Sequence, residues 1–201
     1  MSRTSQARLV ASVVAWAGLV AVGAWAMFSY ELTPAAPAKP AKRWPAGTAL
    51  LRESNRTTLL MFVHPQCPCS RASLVELERL VSNRRNAVSV RVLFVRPAEM
   101  PEGWERSDLW PLAERIPGAT VLCDASGAEA TRFKARTSGE TMLFSAAGEL
   151  LYDGGITASR GHEGDNFASA AVAALIDGST AEFQRMPVFG CALLEQCSTN
   201  E

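Results

Sequence analysis

The sequence predicts an α/β domain, one central mixed sheet flanked by helices, carried behind an N-terminal transmembrane helix. Three observations lead there. An uncharged apolar run from Leu9 to Tyr30 lies near the start of the chain. β-rich runs then alternate with helix-periodic segments in the order β-α-β-α-β-α-β-β-α. The first of those strands ends on His64-Pro-Gln-Cys-Pro-Cys-Ser70, which places cysteines where a strand turns into a helix. Crossovers make the early strands parallel, and the late hairpin adds an antiparallel edge.

Arg3 and Arg8 precede the apolar run. About 20 apolar residues at ~1.5 Å each span a hydrocarbon core of roughly 30 Å. Basic residues before the span, with no strong basic cluster directly after it, put residues 1–8 in the cytoplasm and the domain outside it. In a bacterial cell that means a single-pass inner-membrane protein with its domain in the periplasm. Ala24-Trp-Ala26 offers the alternative, a cleaved signal peptide. The apolar character continues through Met27 and Phe28, which favours an uncleaved anchor over 9–30. Residues 31–45 are rich in Pro and Ala, a composition that predicts a stiff, extended spacer with no packed core. The domain is expected over 46–178, followed by a cysteine-containing tail over 179–201.

Within the domain, Thr58–Val63 reads as the first strand and 70–83 as a helix, with Leu74, Val75, Leu77, Leu80 and Val81 on its apolar stripe. Glu76 stands three residues after Ser73, but the helix begins at or before Ser70, so this is not a capping box. Val88–Val95 is near-continuously apolar and fits a buried central strand. A helix from Ser107 or Asp108 to Arg115 tolerates Pro111 in its first turn. Ala119–Cys123 is a third strand, and Asp124 caps a helix running to Phe133. Thr141–Phe144 and Glu149–Tyr152 form a hairpin around Ser145-Ala-Ala-Gly148. Asp165-Asn166 caps a last helix that ends near Ile176.

Composition narrows the chemistry. The chain is 48% hydrophobic, and its 20 basic and 20 acidic side chains cancel, so no polyanion-binding surface is expected and nucleic acid is excluded as a partner. Five cysteines, an odd number, leave at least one thiol without an intramolecular partner. Cys67 lies beside the unpaired N–H groups and positive dipole end of a helix, which favours thiolate, the form that acts as nucleophile and metal ligand. Cys69 is placed either to resolve a Cys67 mixed disulfide or to complete a two-sulfur metal clamp. Cys191, after Gly190, either reaches back to Cys67 or pairs with Cys197. Cys123 ends an apolar run and is expected to be buried as a small hydrophobe. Gly154-Gly155 is expected to let backbone pass close to the active loop.

This element order, with cysteines at the end of the first strand, resembles the thioredoxin fold, and more narrowly the RedB-like membrane-anchored redoxins. The segments that carry the resemblance are Phe62-Val-His-Pro-Gln-Cys-Pro-Cys-Ser70, Thr137-Ser-Gly-Glu-Thr141, Gly154-Gly-Ile-Thr157 with Arg160-Gly-His-Glu-Gly-Asp-Asn166, and Pro187-Val-Phe-Gly-Cys191. The resemblance implies a thiol–disulfide oxidoreductase that requires no cofactor, with Cys67 as nucleophile and Cys69 or Cys191 resolving. It also implies exported protein thiol or disulfide clients, such as cytochrome or metalloprotein maturation factors, and a separate redox partner. Ser70 stands where the resolving cysteine of Cys-x-x-Cys would be. Glu140 or Thr141 stands where these proteins carry a cis-proline.

In such a fold the loop holding Arg160 and His162 leaves the sheet at the same edge as His64, so both histidines of the chain are expected to face the dithiol. An imidazolium or Arg160 would then lower the Cys67 pKa. The alternative is a metallochaperone-like module holding Cu(I) or Zn on Cys67, Cys69 and His162, with His64 or Cys191 as further ligands. A peroxiredoxin-like peroxidase is a lesser alternative, since His64 replaces the threonine such enzymes carry upstream of the cysteine.

Overall fold

The computed structural model describes residues 3–194, which fall into two units that divide after Thr33. The first unit is α1 (Arg3–Leu32), a helix of 30 residues with no buried side chain, long and apolar enough to cross a membrane. The expected span of 9–30 lies within it. The second unit contains β1 (Thr57–Val63), α2 (Ser70–Val81), β2 (Val88–Arg96), α3 (Trp110–Glu114), β3 (Ala119–Ala125), α4 (Ala128–Phe133), β4 (Glu140–Phe144), β5 (Leu150–Gly154) and α5 (Phe167–Ile176).

The sheet order is β3-β2-β1-β4-β5, with β1, β2 and β3 parallel and β4 and β5 antiparallel. β1 is therefore central, and strand alternation sends its side chains to two cores. Leu59, Met61 and Val63 join Val90, Val92 and Phe94 under α2, α3 and α5. Leu60 and Phe62 join Leu93, Val95, Met142 and Phe144 on the other face. Among the described residues, only the six-residue α4 covers that second face as a helix, through Ala130 and Phe133.

The remaining cover of that face corrects two expectations. The Pro/Ala-rich segment is not a free spacer: from Pro34 onward it belongs to the globular unit. Ala35 N–H donates to the Val188 carbonyl at 2.9 Å, and Arg185 holds the Ala38 carbonyl at 2.7 Å. Leu150 N–H donates to the Lys42 carbonyl, and Trp44 N–H to that of Gly148. Trp44 packs edge-on against Phe133 and Phe144, each at 5.2 Å between ring centroids. The tail is likewise part of the domain, with Leu193 buried in the same core. The physical reason is shared. A sheet face rich in aromatic side chains and roofed by one short helix leaves apolar area that Trp44, Leu50 and Leu193 remove from water. Trp44→Ala should lower unfolding free energy by roughly 2–3 kcal/mol in denaturant titration, where an undocked linker would give no change.

Smaller differences have local causes. α3 starts at Trp110, because the Ser107 hydroxyl accepts the Leu109 N–H and caps the preceding turn. Asp124 lies inside β3, yet its carboxylate accepts the N–H groups of Glu129 and Ala130 at 2.8 Å each, so it caps α4 from the strand. Cys123 is exposed rather than buried, because β3 is an edge strand. The Asn166 side chain caps α5 as expected, accepting the Ser169 N–H at 2.9 Å.

Candidate active site

Cys67 and Cys69 lie in the turn between β1 and α2. Cys67 N–H donates to the His64 carbonyl, and Ser70 N–H to that of Cys67. Both sulfur residues are buried, Cys67 at 1% exposure and Cys69 at 8%. The cover comes from the tail. The chain returns along β5, with Asp153 N–H on the Gln184 carbonyl and Met186 N–H on that of Asp153. It then crosses the turn before β4, where Ser138 N–H donates to the Cys191 carbonyl at 2.8 Å. This brings the Cys191 N–H within 3.4 Å of Cys67 Sγ.

Glycines permit that return. A side chain at Gly154 would meet the Met186 carbonyl at 2.3 Å, and one at Gly155 the Pro187 carbonyl at 2.8 Å. A Cβ on Gly190 would fall 2.0 Å from the Ser138 carbonyl oxygen. Close backbone passage at Gly154-Gly155 was expected, but the passing strand is the tail and not the cysteine loop.

The thiols divide their protons unequally. Burial pushes Cys67 up, but the Ser70 hydroxyl, the Cys191 thiol and the N–H groups of Cys191 and Cys69 outweigh it, and the net shift is downward. Cys191 is pushed up to about 12, first by burial and then by its hydrogen bond to Cys67 and the Cys67 charge. Burial and the Cys67 charge also raise Cys69, with the Arg160 guanidinium opposing both through a hydrogen bond and its charge. Of the three thiols, Cys67 alone is shifted toward the thiolate, with Cys191 and Cys69 both shifted toward the protonated form.

Arg160 lies at the site, donating to the Gly190 carbonyl at 2.9 Å. The histidines do not act as expected. His162 is exposed, and it is not among the groups that shift the three thiols. His64 is at the site, but its Nδ1 accepts the Gln66 N–H and its ring packs edge-on against Trp104. Burial lowers its pKa and so disfavours the positive charge it would need to lower that of Cys67. His162 stays outside because Glu76, buried on α2, accepts the Gly164 N–H at 2.7 Å and fixes the loop from its far end. Among the described residues no group of three or more His, Cys, Asp or Glu is arranged to hold a metal ion. Cys197 lies outside the described residues.

The turn before β4 also differs from the resembling pattern. Gly139 takes φ +86° there and donates its N–H to the Phe62 carbonyl, and no cis peptide occurs among the described residues. Thr141 is fully buried and bonds the Gly139 carbonyl through its hydroxyl. Glu140, 1% exposed, accepts the N–H groups of Arg136 and Thr137. Its carboxyl is pushed up from 4.5 to about 7, by burial first and by the neighbouring Asp153 carboxylate, itself bonded by Arg185. A carboxyl raised in the folded state favours folding fully below its unfolded pKa, and that contribution is lost as pH rises toward 7. Glu140→Gln should therefore flatten the pH dependence of stability between about 4.5 and 8, and should gain roughly 2–3 kcal/mol at the alkaline end in denaturant titration.

Ser138 is the site residue that sequence reasoning missed. Its hydroxyl accepts the His64 N–H at 2.7 Å and lies 2.6 Å from the Ser70 hydroxyl. A serine beside a glycine in a turn carries no signal of its own in the sequence.

No protein-family model and no curated protein matches the sequence. Solved structures do match in fold. A hypothetical protein from Sinorhizobium meliloti aligns at TM-score 0.62 and 18% identity, covering 78% of this chain and 96% of its own. An uncharacterized conserved protein from Geobacillus kaustophilus aligns at 0.61 and 20%, covering 82% and 99%. A secreted disulfide oxidoreductase of Mycobacterium tuberculosis aligns at 0.44 and 15%, covering 63% and 83%. A mixed sheet with parallel β1 and β2, an antiparallel β4-β5 hairpin and a cysteine turn between β1 and α2 decides the class. The fold is thioredoxin-like. In this thioredoxin-like domain, the C-terminal segment supplies a third cysteine to a turn that otherwise holds Cys-x-Cys-Ser.

Proposed function

We propose that this protein is a membrane-tethered thiol–disulfide oxidoreductase whose working pair is Cys67 and Cys191. The observation that carries the reading is the Cys191 N–H at 3.4 Å from Cys67 Sγ, with the two sulfurs biased toward opposite protonation states. The Cys67 thiolate attacks one sulfur of a client disulfide, an S–S bond forms, and the client's other sulfur leaves as a thiolate that takes up a proton. The charge on Cys67 and the hydrogen bond to it then vanish, and with them two of the causes that hold the Cys191 proton in place. Cys191 gives up its proton and attacks Cys67 Sγ, and the client's second sulfur departs and is protonated. The client gains two electrons, and a Cys67–Cys191 disulfide remains for an external dithiol to reduce.

Burial shapes the traffic. Cys67 is 1% exposed, so its attack requires the Gly190–Cys191 segment to lift. In the opposite direction a client thiolate meets the partly exposed Cys191 sulfur first, and Cys67 leaves as the stabilised thiolate. The helix α1 and the basic residues Arg3 and Arg8 before it support an anchor that holds the domain outside the cytoplasm. Exported proteins with exchangeable thiols are the client class. The deciding experiment equilibrates full-length protein in detergent across a glutathione series and maps disulfides by mass spectrometry. A single two-electron transition that yields a Cys67–Cys191 link is the expected result. A transition confined to Cys67–Cys69, or none, would overturn the pairing.

A further inference from the structure

We propose that Ser138, in the turn before β4, is a positioning residue for Cys67: through Ser70 it fixes a one-way hydrogen-bond chain that ends on the Cys67 sulfur. The proposal rests on the reading of Cys67 as the reactive thiolate.

The direction of the chain follows from proton counting. Ser70 is the group that most strongly lowers the Cys67 pKa, and on the reading of Cys67 as the reactive thiolate the sulfur has no proton to donate, so the Ser70 hydroxyl is the donor. A hydroxyl has one proton, so in the 2.6 Å contact between the serines Ser138 is the donor and Ser70 the acceptor. The Ser138 oxygen in turn accepts the His64 backbone N–H at 2.7 Å. From donor to acceptor the chain thus runs from the His64 N–H through Ser138 and Ser70 and ends on Cys67. Both serines are buried, Ser70 at 0% and Ser138 at 1% exposure, so water does not compete for either hydroxyl. Each bond polarises the next in a site of low dielectric. The turn that holds Ser138 is fixed on both sides, by its own N–H on the Cys191 carbonyl and by the Gly139 N–H on the Phe62 carbonyl.

The chain distinguishes redox states. A disulfide sulfur is a far weaker acceptor than a thiolate, so the Ser70–Cys67 bond is strong only in the reduced form and when Cys67 departs as a leaving group. Ser138 acts on the sulfur without touching it. It also ties the Cys67 side of the site to Cys191, since its side chain serves one and its backbone the other.

The test uses full-length protein in detergent and reads the pH dependence of Cys67 alkylation by iodoacetamide, quantified on the Cys67 peptide by mass spectrometry. Ser70→Ala should raise the alkylation midpoint by about one pH unit, the loss of one hydrogen bond to a charged acceptor, and Ser138→Ala by roughly half a unit, because it removes only the donor that polarises Ser70. Because they act in series, the double variant should rise no further than Ser70→Ala alone. Ser138→Cys, similar in size and a weaker donor, should rise by a smaller amount and keeps the test open if Ser138→Ala fails to fold. In Ser70→Ala the glutathione equilibrium should move about tenfold toward the Cys67–Cys191 disulfide, equivalent to about 30 mV toward a more reducing couple. A Ser138 variant that loses thermal stability but keeps the wild-type midpoint would assign Ser138 a purely structural role and overturn the proposal. Additive shifts in the double variant would overturn it as well. The midpoint is read whether or not Cys67 and Cys191 form a disulfide, so failure here is distinct from failure of the pairing.

Discussion

Cys191→Ser should abolish the two-electron transition of the full-length protein, and Cys67→Ser should abolish it equally, while Cys69→Ser should leave it in place. The expected asymmetry between Cys69 and Cys191 runs against sequence distance, since Cys69 is two residues from Cys67 and Cys191 is 124. It follows from geometry and protons. Cys191 presents its N–H, and through its thiol a second donor, to Cys67. Cys69 also presents its backbone N–H and its thiol to the Cys67 sulfur, but that thiol is shared with the Arg160 guanidinium, which draws it back toward the thiolate. A Cys-x-Cys disulfide also closes a small, strained ring, which makes it the more easily reduced of the two possible links. Quantified disulfide mapping of the three variants at a fixed glutathione ratio checks this. Loss of the transition in Cys69→Ser, or its survival in Cys191→Ser, would reassign the resolving cysteine.

Gly190→Ala should disable exchange without touching a sulfur. The added Cβ would sit 2.0 Å from the Ser138 carbonyl oxygen and 3.0 Å from its carbon, both backbone atoms that cannot swing aside. Residues 190–192 must then move out. That breaks the Ser138 N–H bond to the Cys191 carbonyl and the Arg160 bond to the Gly190 carbonyl, each worth roughly 1 kcal/mol or more. It also withdraws the Cys191 N–H from Cys67. We expect Cys67–Cys191 disulfide formation to fall at least tenfold. Alkylation of Cys67 at alkaline pH should become faster, because the segment that buries it has lifted. Unchanged values for both would mean that the tail is not what covers Cys67.

The order of elements was legible because local signals were strong and agreed with one another. Thr58–Val63 and Val88–Val95 are apolar enough for buried parallel strands, and the stripe from Leu74 to Val81 has a helical period. Cys67 was legible from its place between strand and helix. The role of the segment from Thr33 to Pro45 was not, because proline density reports backbone stiffness and says nothing about whether a stiff segment finds a surface. Trp44 was the one hint, and it meant something only once the weakly roofed sheet face was known. The histidines misled for a similar reason. Topology brings the 160–166 loop to the right sheet edge, but Glu76 on α2 decides which part of that loop faces inward.

By itself, the sequence determined the thioredoxin-like order of strands and helices, the apolar helix ahead of them and the cysteine turn. All are set by periodicity, hydrophobic runs and residue type over neighbouring positions. Only the tertiary structure decided which distant cysteine comes to lie beside Cys67, which side chains surround its sulfur, and where the Pro/Ala-rich segment lies. These depend on contacts between residues far apart in the chain, where a glycine lets two backbones meet and a buried serine finds another. Such contacts leave no local pattern, because they are fixed by packing and by the need to pair buried polar groups.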